Sequence, residues 1–224
     1  MKREIIITAD GSTSIHIPEW NEQYHSKHGA IQEAYHVFIK HGLHFFCHSE
    51  SQNELSILEI GFGTGLNAFI TLLESEKLYT NVKYVGVEGY PVSSGEIKQL
   101  NYTSELQSEE LLFEKLHGVS WEEKHQISKY FNLTKQNKFF DKIEDVDTFN
   151  IIYFDAFGAR VQPELWTEII FKTMFRALKI KGVLVTYSAK GSVRRAMESV
   201  GFQVEKLPGP PGKREMLRAV KLNC

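Results

Sequence analysis

Two cysteines in 224 residues, Cys47 and Cys224, leave no disulfide framework, so the chain has to be held by a buried apolar core. No apolar run approaches a membrane span, and the start, Met1-Lys2-Arg3-Glu4, turns polar too soon for a secretory signal. An excess of charge of one sign is also missing. The 26 Lys and Arg set against 28 Asp and Glu give a formal net charge of −2, which supplies no overall nucleic-acid signature and leaves room for a local basic patch. The nine histidines show no metal-ligand spacing, and no metal site is expected. Together these absences make the cytoplasm the expected compartment. Proline is scarce as well, and three of the six sit together in Pro208-Gly209-Pro210-Pro211, a stiff turn.

What is present is ordinary in bulk, with 42% hydrophobic and 24% charged residues, and specific in pattern. Residues 55–60 form a short apolar run that enters Gly61-Phe62-Gly63-Thr64-Gly65 and then a helical pattern over 64–73. This is a buried strand, a glycine turn that lets backbone approach a ligand, and a helix whose first amides are open to a polar group. A dinucleotide fingerprint places its third glycine one residue later, so a nicotinamide-binding dehydrogenase fits poorly. A second apolar run, 82–87, ends at Glu88, where a carboxylate can accept from two ribose hydroxyls at once.

Residues 150–154 form a third buried strand, which ends in Asp155-Ala156-Phe157, and Pro163 then opens a helix with Glu164, Leu165 and Trp166. Strands are expected at 131–134, 183–187, 202–206 and 215–221, the last two reversed across the proline turn. Residues 5–17 read as a hairpin about Ala9-Asp10-Gly11-Ser12, a helix begins at Ala30 with Val37 and Phe38 on one face, and 93–129 reads as polar helix. The expected organisation is an N-terminal hairpin and helix over 1–50 packed on a catalytic α/β domain over 51–224.

The form Glu59-Ile60-Gly61-Phe62-Gly63-Thr64-Gly65 resembles motif I of the class I S-adenosylmethionine (SAM) dependent methyltransferases. That resemblance implies a Rossmann-like sheet of seven mostly parallel strands with a C-terminal reversed hairpin. Further motifs narrow it. Gly61 to Asn67, Asp155-x-Phe157 with Pro163-Glu164-x-Trp166, Ser188-Ala189-x-Gly191-x-Val193-Arg194-Arg195, Gly201-Phe202 and Gly212-Lys213-Arg214-Glu215-Met216 are similar to the methyltransferase domain of bifunctional tRNA wobble-uridine enzymes of the MnmC type. Gly29-Ala30-Ile31-Gln32-Glu33 followed by Val37-Phe38 resembles that family's N-terminal region.

The resemblance implies N-methylation of a 5-aminomethyl group on wobble (2-thio)uridine in tRNA. It also implies a cofactor pocket of Gln32, Glu33, Glu59, Gly61, Phe62, Gly63, Gly65, Asn67, Glu88 and Asp155, with Asn137 or Asp141 at the adenine amino group. Asp155, Phe157 and Trp166 are the expected catalytic group, Asp155 meeting the amine and the two aromatics walling the uracil. Lys190, Arg194, Arg195, Lys213 and Arg214 are the expected RNA contacts. Family members carry a flavin oxidase domain, and no second glycine fingerprint follows here, so a separate FAD-dependent oxidase is the expected source of the aminomethyl substrate. A small-molecule amine as acceptor, or a non-catalytic domain of the same fold, are the competing readings.

Overall fold

The computed structural model describes residues 2–49 and 54–222. The boundary expected between 50 and 51, and Cys224, lie outside the described residues. Strands β1 (Glu4–Ile7), β2 (Thr13–Ile17) and β3 (Glu22–Gln23) form a small antiparallel sheet in that order, so the expected hairpin has a third strand. Helix α1 (Ala30–Ala34), a π-helical stretch (Tyr35–His44) and α2 (Phe45–Ser49) run on without a break. The wider π winding lets the consecutive Val37, Phe38 and Ile39 all be buried.

The large sheet is built from β4 (Glu54–Ile60), β5 (Asn81–Val87), β6 (Lys124–Gln126), β7 (Phe131–Gln136), β8 (Phe149–Phe154), β9 (Leu178–Thr186), β10 (Gln203–Pro208) and β11 (Glu215–Val220). Its order is β10-β11-β9-β8-β4-β5-β7-β6. The five strands from β9 to β7 pair in parallel, and β11 runs against both β9 and β10, which is the reversed hairpin. The eighth strand is β6, a short antiparallel edge beside β7. It falls inside the stretch read as polar helix, which is instead broken into α4 (Ser94–Ile97), α5 (Tyr102–Glu105) and α6 (Glu110–Gly118). Their alternating polar and apolar residues carry no period long enough to separate a three-residue edge strand from helix.

Between β4 and β5 lies α3 (Leu66–Leu78), and α7 (Glu168–Ala177) and α8 (Gly191–Ser199) cover the opposite face. Strand periodicity sorts the core: Ile151 and Tyr153 of β8 join the cluster containing Phe38 and Phe69, while Ile152 and Phe154 join Phe171 and Met197 on the other side. Because β4 leads to β5 on one side and has β8 on the other, the sheet changes direction between β4 and β8. Ligand crevices of open α/β sheets form there, outside the C-terminal strand ends.

The small sheet is fastened to the first helix by one carboxylate. Asp10 Oδ2 accepts from the Gln32 backbone N–H at the start of α1 (3.0 Å), and Oδ1 accepts from the Thr8 and Ser12 hydroxyls and the Ser12 N–H. Burial opposes the Asp10 charge, yet these hydrogen bonds, led by that from Ser12, outweigh it and hold the carboxyl below its usual range. A depressed folded value means that the contribution is present above the ordinary carboxylate range and lost as pH falls through the folded value. Asp10→Ala is expected to destabilise by about 1–2 kcal/mol at neutral pH, as removal of a helix cap does. Thermal melts should show a Tm deficit that closes on acidification, and a deficit constant with pH overturns the capping role.

Candidate functional site

At the crevice the ends of β4 and β8 are joined directly, the Asp155 N–H donating to Ile60 O at 2.9 Å. The chain then turns at Gly61, whose φ of +90° and the 2.8 Å that would separate a Cβ from Asp155 O both require glycine. The Gly61 and Phe62 N–H groups donate to Val87 O at 3.0 and 3.1 Å, so the turn is pinned to the end of β5. Glu88, one residue on, accepts from the Gly63 N–H (3.0 Å) and the Tyr90 N–H (2.8 Å). Gly63 has φ +50°, and a Cβ there would meet the Tyr24 ring at 3.1 Å. These groups line a cavity of about 1050 Å³.

Its floor is acidic. Asn67, on the first turn of α3, donates from Nδ2 to Glu59 Oε1 (2.9 Å) and to Asp155 Oδ2 (2.8 Å), so one amide joins the two carboxylates. Glu59 Oε2 and Asn67 Oδ1 are buried with no hydrogen-bond partner. Burial first and the Asp155 charge second push the Glu59 carboxyl well above its usual range, against the Asn67 hydrogen bond. Burial and the Glu33 charge push Asp155 up in the same way, while Asn67 and Lys213 pull it down. Glu33 is itself engaged, Oε2 accepting from the Ser26 N–H at 2.8 Å and Oε1 from Lys213 Nζ, which lies 3.9 Å from the Tyr187 ring centroid.

The profile of a family described as S-adenosyl-L-methionine-dependent methyltransferase matches residues 98–222. The chain belongs to that family. Over 219 residues it is 31% identical to a tRNA 5-methylaminomethyl-2-thiouridine biosynthesis bifunctional protein MnmC of Marinomonas sp., with 90% of this chain and 31% of that protein covered. A protein of the same description from Nitrosospira multiformis is 32% identical over 216 residues, covering 89% of this chain and 34% of the other. The chain thus spans about a third of the length of these curated relatives. Among solved structures, MNMC2 from Aquifex aeolicus superposes with a TM-score of 0.79 at 24% identity, over all of this chain and 71% of the other, and shares the fold. A spermidine synthase from Thermotoga maritima shares it more loosely, with a TM-score of 0.54 at 13% identity over 94% of this chain and 68% of the other.

The donor set of this methyltransferase suits its cofactor. Buried acceptors without partners at Glu59 and Asn67 fit an ammonium group, and a carboxylate at the end of β5 fits vicinal hydroxyls. Of the residues singled out in the sequence, Glu33, Glu59, Gly61, Phe62, Gly63, Asn67, Glu88, Asp155, Phe157, Lys190 and Lys213 line the cavity. Others lie elsewhere. Gln32 is exposed, with its backbone turned to Asp10, and Gly65 is buried at the start of α3. Asn137 is exposed with its N–H on Glu122 Oε1, whereas Asp141 reaches the cavity beside Phe139 and Phe140.

Trp166 departs from the expected uracil wall: it is buried against Phe154 and donates from Nε1 to Phe157 O at 2.7 Å. Its indole finds its polar partner in the backbone that carries Phe157, so it braces that residue from behind. Arg194 pairs with Glu198 on α8, and Arg195 and Arg214 are exposed outside the cavity lining.

Sequence reasoning missed the N-terminal contribution. Arg3, Trp20, Tyr24 and His25 all line the cavity, and Trp20 and Tyr24 meet Phe157 edge-on at 5.5 and 4.9 Å. Isolated aromatics in a polar segment show no period, so only the third strand, β3, would have drawn attention to them. His25 bridges the two parts, with Nδ1 3.1 Å from Ser14 Oγ and Nε2 3.4 Å from Thr64 Oγ1. Burial pushes it down to about 4, so it is a neutral link at physiological pH.

A carboxyl whose folded value is raised retains a proton that the unfolded chain releases, so stability falls as pH rises from the ordinary carboxylate range through the folded value. Glu59→Gln is therefore expected to stabilise the cofactor-free protein at about pH 8 by roughly 1–3 kcal/mol, or several degrees in Tm. The same variant should bind SAM at least about tenfold more weakly, since it exchanges a charged acceptor for a neutral one. Scanning calorimetry and titration calorimetry read the two effects, and unchanged affinity removes Glu59 from the cofactor site.

Proposed function

We propose that this enzyme transfers a methyl group from SAM to the 5-aminomethyl group of wobble (2-thio)uridine in tRNA. The observation that carries the reading is the division of charge across one cavity. Glu33, Glu59 and Asp155 make its depth acidic, while the lysines Lys27 and Lys190 stand exposed on its rim beside Asp141 and Glu164. An acidic interior suits a cationic cofactor and an amine, and the two rim lysines suit phosphate. The printed names of the relatives, which concern methylaminomethyl uridine in tRNA, support the same substrate. So does the size of the cavity, about 1050 Å³, which is ample for a nucleoside cofactor together with a flipped base.

In this reading Glu59 and Asn67 hold the cofactor's amino group, Glu88 its ribose, and Asp141 its adenine side. The bound sulfonium supplies an already activated leaving group, so the protein's task is alignment and proton management. Asp155 accepts a hydrogen bond and then the proton of the incoming ammonium, leaving a neutral nitrogen nucleophile. Phe157, backed by Trp166 and flanked by Trp20 and Tyr24, offers an apolar surface for the uracil and keeps water from the amine. An FAD-dependent oxidase acting beforehand is the proposed source of the aminomethyl group, and the cytoplasm, where tRNA resides, is the proposed compartment.

The test is to incubate the protein with SAM and tRNA from cells lacking the modification and to analyse the nucleosides by mass spectrometry. The expected product is the methylaminomethyl nucleoside, formed with wild-type protein and reduced about 100-fold or more by Asp155→Asn, whose SAM affinity stays near that of wild type. Transfer only to small amines, or unchanged turnover in the variant, overturns the substrate or the role of Asp155 respectively. Lys190→Ala is expected to weaken tRNA binding at every sequence and to lower the salt slope by about one ion.

A further inference from the structure

Lys213 was expected among the phosphate contacts, and its position argues for other work. It sits on the loop of the β10–β11 hairpin, whose tip docks on the N-terminal segment, since a Cβ on Gly212 would overlap the His28 ring. From there the side chain turns into the cavity, not outward. Its ammonium pairs with Glu33 Oε1 and stands 3.9 Å from the Tyr187 ring centroid. Tyr187 is fixed in turn by its hydroxyl, which donates to Ala156 O at 2.8 Å, one residue beyond Asp155. A cation anchored on a buried carboxylate and an aromatic face is held in place, and has little freedom to follow a phosphate backbone.

We propose that Lys213, anchored on Glu33 and Tyr187 in the cavity that Asp155 also lines, is the positioning residue for Asp155, the proton acceptor for the substrate amine. The proposal rests on the reading that an amine is the acceptor. The groups facing Asp155 are Glu59 from β4, Tyr84 from β5, Asn67 from α3, Glu33 from α1, Tyr187 from the end of β9 and Lys213 from the hairpin. Glu33 and burial work against the Asp155 charge, and Lys213 is the cation that works for it. Glu33 is poorly suited to be the base itself, since both of its oxygens already accept, one from Ser26 N–H and one from Lys213.

The step balances. The substrate ammonium gives a proton to Asp155, and the freed nitrogen lone pair forms the N–C bond as the C–S bond breaks, with its electron pair left on sulfur. The product departs as a secondary ammonium, and Asp155 returns its proton to solvent.

Two roles for Lys213 give opposite results. If it positions Asp155, Lys213→Met moves the acid limb of the pH–rate profile for single-turnover transfer to higher pH by about one unit or more, the shift expected on losing an adjacent opposite charge. Lys213→Arg restores the limb. If it binds phosphate, Lys213→Met raises KM for tRNA and flattens the salt dependence, with the limb unmoved. The carboxyl titration of Asp155 is followed separately by carbon NMR of protein labelled at aspartate, assigned with Asp155→Asn, in the presence of SAM and without any acceptor. The expected result is the same upward displacement in Lys213→Met. An unmoved Asp155 titration overturns the proposal, as does a displaced titration with an unmoved acid limb. Wild-type protein that transfers nothing to tRNA would instead overturn the substrate reading, while the titration still reports whether Lys213 acts on Asp155.

Discussion

Asn67 donates both of its amide hydrogens, one to Glu59 and one to Asp155, and the site is built around that bridge. Two carboxylates at the ends of adjacent parallel strands repel each other, and the repulsion grows where water is excluded. A neutral amide with two donors can hold them together without adding a charge of its own. It can stand there only because the chain reverses within a few residues of the end of β4, through positive-φ glycines, into a helix whose first turn passes beside β8. The glycine turn therefore serves the protein's own geometry before it serves a ligand. The turn leaves Glu59 Oε2 and Asn67 Oδ1 buried without hydrogen-bond partners, acceptors that a cationic ligand would satisfy.

The open edge of this crevice is closed by the two ends of the chain. The small N-terminal sheet and its flanks bring Tyr24 against Gly63 of the turn, Trp20 against Phe157 and Arg3 to Tyr90 O, and the C-terminal hairpin brings Lys213 to Glu33. Fastenings between these parts are polar and specific. Arg160, on the loop after Asp155, donates from Nη2 to Trp20 O, Asn21 O and Glu22, and His25 joins β2 to the turn. Because His25 is buried and neutral, that link persists across the physiological range and does not act as a switch.

Much of the parallel core was legible because its signals are local: three apolar runs of strand length, 55–60, 82–87 and 150–154, end in glycine or acid and announce both the sheet and its ligand-facing edge. Glu59, Glu88 and Asp155 were found for that reason, and all three line the cavity. What failed to show was anything that depends on the direction of a side chain in three dimensions. Trp166 and Phe157 look equivalent as aromatics near a strand end, yet Trp166 is buried against Phe154 with its indole on Phe157 O, while Phe157 lines the cavity. The basic residues from Lys190 to Arg214 likewise look alike in sequence and differ in their surroundings, with Lys190 and Lys213 lining the cavity and Arg195 and Arg214 outside its lining. Arg194 pairs along its own helix, and Lys213 turns inward to a carboxylate 180 residues earlier in the chain.

The same point explains why the near-zero net charge was uninformative. A formal charge of −2 over the whole chain averages over the buried carboxylates of the cavity and the exposed lysines Lys27 and Lys190 at its rim, which are separated in space. Charge screening makes the two regions work at different ranges. Exposed rim cations attract a polyanion over roughly a Debye length of about 8 Å at physiological salt, and lose that attraction as salt rises. The interior carboxylates are shielded from salt and feel mainly one another, Asn67 and Lys213. In the proposed reaction, capture of the nucleic acid and handling of the amine proton are thus governed by separate sets of charges, so each can be altered without the other.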